Sequence, residues 1–218
     1  MSTSPRYTEA LGWAEQLHRN QRRRGKDVPF LAHVISVSAL VWEDGGNEEQ
    51  AIAGLLHDAI EDAGQTHASI RERFGVNVAN IVRDCTDPGK VPGAEPSDPW
   101  VQRKQRFIET LQQLPKSSLL VTAADKAHNC RDHLLDSGLD PDRWNRFVPG
   151  FDGLAWYFWC LHGQLHSLLP ASRSVQRLGE AVSAILASPH LCARLPAQQD
   201  PEEWVATYLI RQDTHSFA

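Results

Sequence analysis

Residues 48–62 read Glu-Glu-Gln-Ala-Ile-Ala-Gly-Leu-Leu-His-Asp-Ala-Ile-Glu-Asp, an apolar run that ends on one histidine and three carboxylates. The run (Ala51, Ile52, Ala53, Leu55, Leu56) has the composition of a buried helix, and helical residues three and four apart share a face. Glu61 therefore lies beside His57 and Asp58, and Asp62 beside Asp58. Turning three like charges toward a core is unfavourable unless something compensates them. Two arrangements satisfy that requirement. The acidic end of the helix faces water, or a divalent cation is held by His57 and Asp58 while Glu61 and Asp62 handle water and protons. The local sequence admits both, and either way it demands a helix with a core on one side.

The same 3.6-residue periodicity recurs along the chain, and no stretch alternates as a strand does, so the expected fold is all-α. Helices are predicted over 7–20 (Leu11, Ala14, Leu17 on one side) and over 29–44, with Pro29 in the first turn. Gly45-Gly46-Asn47 breaks the pattern, with Asn47 an N-cap for the helix over 48–61. Further helices are expected over 67–74, 76–86 after the interruption at Gly75, 100–114, 119–135 capped by Ser117-Ser118, 147–169, 172–188 and 202–210. Between them, 87–99 carries Pro88, Gly89, Pro92, Gly93, Pro96 and Pro99, a long loop of the kind that serves as a lid. The aromatic helix (Phe151, Trp156, Tyr157, Phe158, Trp159) belongs to the core and is also a candidate surface for homo-oligomer formation.

Composition narrows the class. The chain has 218 residues, 41% hydrophobic and 22% charged, which suits one globular domain. A core over about 7–165 with a helical extension over 166–218 is the expected organisation. A net charge of −5 argues against nucleic-acid binding, which asks for a broad basic face. No apolar run reaches the roughly 18–20 residues that span a bilayer, and Met1–Arg6 lacks a signal-peptide core, so no membrane role and a cytoplasmic location are expected. Cys85, Cys130, Cys160 and Cys192 are too scattered for a disulfide framework or a zinc knuckle.

Ten histidines make a metal site worth seeking. His33 sits among Leu31, Val34, Val37 and Leu40, as a core histidine or a ligand. Asp125 follows Leu119, Leu120, Val121, Ala123 and Ala124, so its carboxylate is expected in a buried stretch with either a cation or an internal Lys or Arg as partner. Asn129 shares its face at i+4. Arg19, Arg22, Arg23, Arg24 and Lys26 surround Gly25 in a loop that is either solvated or a polyanion clamp. Trp100 to Leu114 adds Arg103, Lys104 and Arg106.

Taken in order, His33, His57-Asp58 and Asp125 resemble the H…HD…D signature of the HD superfamily of metal-dependent phosphohydrolases, whose fold is a helical bundle. Gln21-Arg22-Arg23-Arg24, Pro29-Phe30-Leu31-Ala32-His33, Leu55 to Asp62, Trp100 to Lys104 and Ala124 to Asp132 resemble the hydrolase domain of the RelA/SpoT family over about residues 10 to 135. That resemblance implies Mn²⁺-dependent removal of the 3′-pyrophosphate of (p)ppGpp, giving GDP or GTP and pyrophosphate. It also implies an alarmone hydrolase without a synthetase domain. By position, His33, His57, Asp58 and Asp125 would hold Mn²⁺ or another divalent metal, a mixed nitrogen and oxygen set suited to a borderline cation. Glu61 and Asp62 would be the catalytic pair. Arg23 and Arg24 would flank the base, Asn129 would lie near the sugar, and Lys104 would meet phosphate. The chain departs from the family pattern at Phe30, where Tyr is usual, and at Val34, where Pro is usual. Hydrolysis of another nucleotide, such as an adenine alarmone or a 2′- or 3′-phosphorylated nucleotide, and a metal-binding regulatory module without turnover are the competing readings.

Overall fold

The structure, a computed structural model, describes residues 3–87 and 99–215. Among the described residues every regular element is helical, apart from one isolated antiparallel bridge between Arg22 and Pro29. Helix α1 (Pro5–His18) starts at Ser4, whose side chain accepts the Arg6 amide. Helix α2 (Phe30–Glu43) follows Pro29, and α3 (Glu48–Leu56) opens on a reciprocal capping box between Asn47 and Gln50. Next come α4 (Ala59–Ala63), α5 (His67–Cys85), α6 (Trp100–Thr110), α7 (Lys116–Leu139), α8 (Gly150–Leu168) and α9 (Arg173–Leu186). Three short helices finish the chain: α10 (Pro189–Cys192), α11 (Pro201–Ala206) and α12 (Tyr208–His215). The all-α expectation holds, and Gly75 (φ 80°, ψ 169°) kinks α5 where the sequence predicted an interruption.

Several boundaries differ from the sequence expectation, among them the helix expected over 202–210, which is α11 and α12. The helix predicted over 48–61 is two helices, because Asp58 leaves helical geometry at φ −96°, ψ 3° and turns its carboxylate toward His57 and His33. Ser118 does not cap α7; the helix already begins at Lys116 behind Pro115, and the Ser118 hydroxyl donates to Asp84 Oδ2 at 2.7 Å. Residues 189–201, expected to be irregular, contain α10. The lid expected over 87–99 lies outside the described residues except for its two ends.

The core has two parts. One gathers Trp13, Val34, Val37, Ile52, Leu55, Leu56, Ile70, Phe74 and Val78 from α1 to α5. The other is aromatic, with Trp144, Phe151, Trp156, Tyr157 and Phe158 packed on Leu161, Leu165, Leu178 and Ile185. Helix α7 serves both: Val121 and Ala124 belong to the first, Ala123, Ala127 and Cys130 to the second. Asp125, Lys126 and Asn129 are therefore held on a helix clamped from two sides. Helices α2 and α3 approach closely at Gly54, where an added Cβ would lie 3.0 Å from Ser38 Cα. This contact brings His33 of α2 and His57 at the end of α3 to one point. The Asp44 carboxylate at the end of α2 accepts the Arg173 amide at 2.7 Å and the Ser174 amide at 3.0 Å, joining the first core to the start of α9.

Candidate metal centre

His33 and His57 are buried, and their Nε2 atoms lie 3.2 Å apart. Asp58 Oδ2 is 3.1 Å from His57 Nε2 and 3.7 Å from His33 Nε2. Asp125 Oδ1 is 3.3 Å from His33 Nε2 and 3.5 Å from His57 Nε2. Donors held about 2.0–2.2 Å from one ion lie roughly 3.0–3.6 Å from each other; the His33, His57 and Asp58 donors lie within 4.8 Å of one another, and Asp125 Oδ1 meets the two histidines at such separations.

The outer partners set the ring nitrogens correctly for such a role. His57 Nδ1 is 2.8 Å from the Gly54 carbonyl and must donate to it, which leaves the Nε2 lone pair facing the cluster. His33 Nδ1 is 2.9 Å from His128 Nδ1. Burial, and then His33, lower the His128 pKa to about 4, and the neutral ring accepts at Nδ1 in the tautomer that carries its proton on Nε2. His33 then donates from Nδ1 and also presents a bare Nε2. Two imidazole lone pairs and two carboxylates meeting in a buried space repel one another until a cation joins them. The donor set therefore fits a divalent ion, and metal binding is what an HD domain implies.

Without the ion, protons take its place. At His57 burial opposes charge, but Asp58 and Asp125 outweigh it and hold the pKa well above the usual imidazole value. At His33 burial dominates and lowers the pKa. Burial alone would raise Asp125, yet Lys126 first and His57 next pull it well below the carboxylate range, and His57 does the same to Asp58.

A cavity of about 190 Å³ opens beside the cluster, lined among others by Arg23, Asp58, Glu61, Asp62, Lys104, Asp125 and Asn129. Glu61 accepts the Asp87 amide at 2.6 Å. Asp62 accepts the Gln21 side-chain amide at 3.0 Å, and Gln21 in turn lies 2.7 Å from His18 Nδ1. Lys104 Nζ donates to Asp87 at 3.1 Å. Arg23 donates to the Asn129 side-chain oxygen at 2.8 Å and to Asp132 at 2.9 Å, while Asn129 Nδ2 donates to Asp125 Oδ1 at 2.5 Å. Of the ten residues singled out from sequence, seven line this cavity, His33 and His57 lie in the cluster beside it, and Arg24 is in neither. Its guanidinium sits 5.1 Å over the Phe147 ring. A larger cleft of about 630 Å³ lies on the far side of His128, between α2, α7 and α9, away from the carboxylates.

Sequence reasoning gave no role to His128, Lys126, Tyr157, Asp87 or Gln21. His128 lay one turn beyond Asp125 inside the matched motif, which is where an outer partner of a ligand belongs. Tyr157 stood in an aromatic run that hides which ring faces a cavity, and burial raises its pKa to about 12.

Comparison with known proteins agrees with this geometry. The HD domain model matches residues 10–142. The chain is 34% identical over 127 residues (57% of this chain, 67% of the relative) to the Xenopus tropicalis guanosine-3′,5′-bis(diphosphate) 3′-pyrophosphohydrolase MESH1. It is 31% identical over 151 residues to the Drosophila melanogaster protein of that name, covering 67% of this chain and 79% of the relative. A solved structure described as a metazoan ortholog of SpoT that hydrolyzes ppGpp superposes with a TM-score of 0.67 at 26% identity, covering 84% of this chain and 97% of the other. With the family model matching more than half of its length, the chain belongs to the HD-domain family.

Proposed function

We propose that this chain hydrolyses the 3′-pyrophosphate of guanosine-3′,5′-bis(diphosphate) and its triphosphate analogue, giving GDP or GTP and pyrophosphate, with Mn²⁺ as the ion. The observation that carries the reading is convergence: the His33, His57 and Asp58 donors lie within 4.8 Å of one another, Asp125 Oδ1 meets both histidines, and Glu61 and Asp62 line the cavity beside them. When bound, the ion supplies Lewis-acid chemistry, making water easier to ionise and drawing charge from a phosphoryl oxygen.

The remaining chemistry belongs to the side chains. Glu61, oriented by the Asp87 amide, and Asp62, oriented by Gln21, hold a water and accept its proton as its oxygen attacks the phosphorus attached to the 3′ oxygen. The bond from that phosphorus to the 3′ oxygen breaks, and the proton returns to the departing nucleoside oxygen. Lys104 faces the phosphates, exchanging Asp87 for them in part, and Arg23 and Asn129 lie toward the nucleoside end. Exclusion of water around these groups strengthens each charge interaction.

Arg24 favours a second reading. Because it stacks on Phe147 outside the cavity, the paired-arginine clamp for guanine is incomplete, and the same centre would serve a nucleotide with another base. Purified protein incubated with Mn²⁺ and, separately, ppGpp, pppGpp, ppApp and 3′-phosphorylated dinucleotides separates the two. Pyrophosphate released fastest from ppGpp or pppGpp supports the first reading, faster release of pyrophosphate from ppApp or of orthophosphate from the dinucleotides supports the second, and release from none contradicts both.

A further inference from the structure

Asp125 has two oxygens with different occupations. Oδ1 faces His33 Nε2 and His57 Nε2 at 3.3 and 3.5 Å and accepts Asn129 Nδ2 at 2.5 Å. Oδ2 is taken by the next residue along α7, Lys126, whose Nζ lies 2.5 Å away. The Lys126 side chain is itself largely buried, with 17% of its surface exposed, and it forms part of the cavity wall with Glu61 and Tyr157. Its ammonium also lies 5.4 Å over the Phe107 ring, so an aromatic face backs it on one side. Sequence reading left two partners open for Asp125, a cation or a neighbouring lysine or arginine. The geometry supplies both, one to each oxygen.

We infer that Lys126 is a positioning residue that keeps Asp125 to a single-oxygen ligand and thereby holds a place on the ion open for water. The inference rests on the metal reading above. Its physical basis is competition for one oxygen. A buried carboxylate oxygen must have a partner. With Lys126 on Oδ2, only Oδ1 is available to the ion. With Lys126 neutralised, Oδ2 is left charged and buried, and the nearest compensation is the ion itself, reached by rotation of the carboxylate. Both oxygens would then bind, and a position that water occupies would be lost. Helix geometry makes this arrangement stiff, since Lys126 and Asp125 sit on a helix packed against both cores.

The test counts exchangeable water on Mn²⁺ by paramagnetic water-proton relaxation in the wild type, Lys126→Met, Lys126→Arg and Asp58→Ala, alongside kcat for pyrophosphate release. Lys126→Met is expected to keep Mn²⁺ but lose one exchangeable water, with kcat lower by roughly 10- to 100-fold as for other outer partners of metal ligands. Lys126→Arg, which keeps the charge, restores the water. An unchanged water count in Lys126→Met, or loss of Mn²⁺ from it, overturns the inference while leaving the metal reading intact. Failure of the wild type to bind Mn²⁺, or equal binding by Asp58→Ala, overturns both. Should Lys126→Met not fold, a crystal structure of the Mn²⁺-loaded wild type decides: one Asp125 oxygen on the ion and the other on Lys126 supports the inference, and both oxygens on the ion overturns it.

Discussion

At the scale of single residues, three of the four proposed ligands have a partner that fixes which atom they present. Gly54 and His128 point Nε2 of His57 and His33 inward, and Asn129 and Lys126 divide the oxygens of Asp125. Replacing His128 by Phe keeps a ring beside His33 but removes the acceptor for His33 Nδ1. Mn²⁺ affinity, read by titration calorimetry, is expected to weaken by roughly 10- to 100-fold, and unaltered affinity would show that His128 has no part in setting the ligand. Gln21→Leu removes the donor from Asp62 without touching the four ligands. Its expected effect is a fall in kcat with Mn²⁺ binding unchanged; wild-type turnover would exclude Asp62 from the water-handling role. Each candidate ligand taken alone admitted a reading without an ion, and the set of four came from their order, which resembles the HD signature. Their outer partners were not legible, since a His128 or Lys126 takes on meaning only when its distance to a ligand is known.

At the scale of elements, helices were legible wherever periodicity and a cap coincided, as at Asn47 for α3 and at Gly75 within α5. The break between α3 and α4 was not, because the apolar pattern runs on past His57-Asp58 into Ala59 and Ile60. The tertiary partners of Asp58 override that pattern. The Gly54 crossing is the element-level device that sets the spacing of His33 and His57. Gly54→Ala places a methyl against the α2 backbone, and overpacking of this kind costs about 1–3 kcal/mol. The variant should melt lower and bind Mn²⁺ more weakly, whereas normal stability and normal binding together would contradict the crossing's role.

Asp44 is the second such device. Burial tends to raise its pKa, but the Ser172 hydroxyl and the Ser174 and Arg173 amides outweigh this and lower it. A carboxyl depressed in the folded state adds stability that is complete above its unfolded value, roughly 3.9, and is lost as pH falls through the folded value. Asp44→Ala should therefore cost about 0.5–1 kcal/mol at neutral pH, by denaturant unfolding, with the gap to wild type closing as pH drops below about 4. A gap that stays constant or widens in acid would show that the cap is not what is lost.

For the whole molecule, α7 is the organising member, packed on the first core through Val121 and Ala124 and on the aromatic core through Ala123, Ala127 and Cys130. We propose on this basis that residues 1–218 form one cooperative unit, with the region after 165 completing the second core through Val175, Leu178, Val182 and Ile185. Heating followed separately by tryptophan fluorescence and far-ultraviolet circular dichroism should give coincident single transitions, and two separated transitions would divide the chain into domains. The sequence placed the aromatic helix in the core, but the helices after it read only as amphipathic, with no sign that they complete that core.

The central claim divides labour along one short stretch: His57 and Asp58 hold the ion, and Glu61 and Asp62 work on water. The most direct test measures bound Mn²⁺ and pyrophosphate release from ppGpp on the same preparations of wild type, Asp58→Ala and Glu61→Ala. The account predicts that Asp58→Ala loses metal and turnover together, while Glu61→Ala keeps metal and loses turnover by about 100-fold or more. Normal hydrolysis by Glu61→Ala, or full metal occupancy in Asp58→Ala, would contradict it.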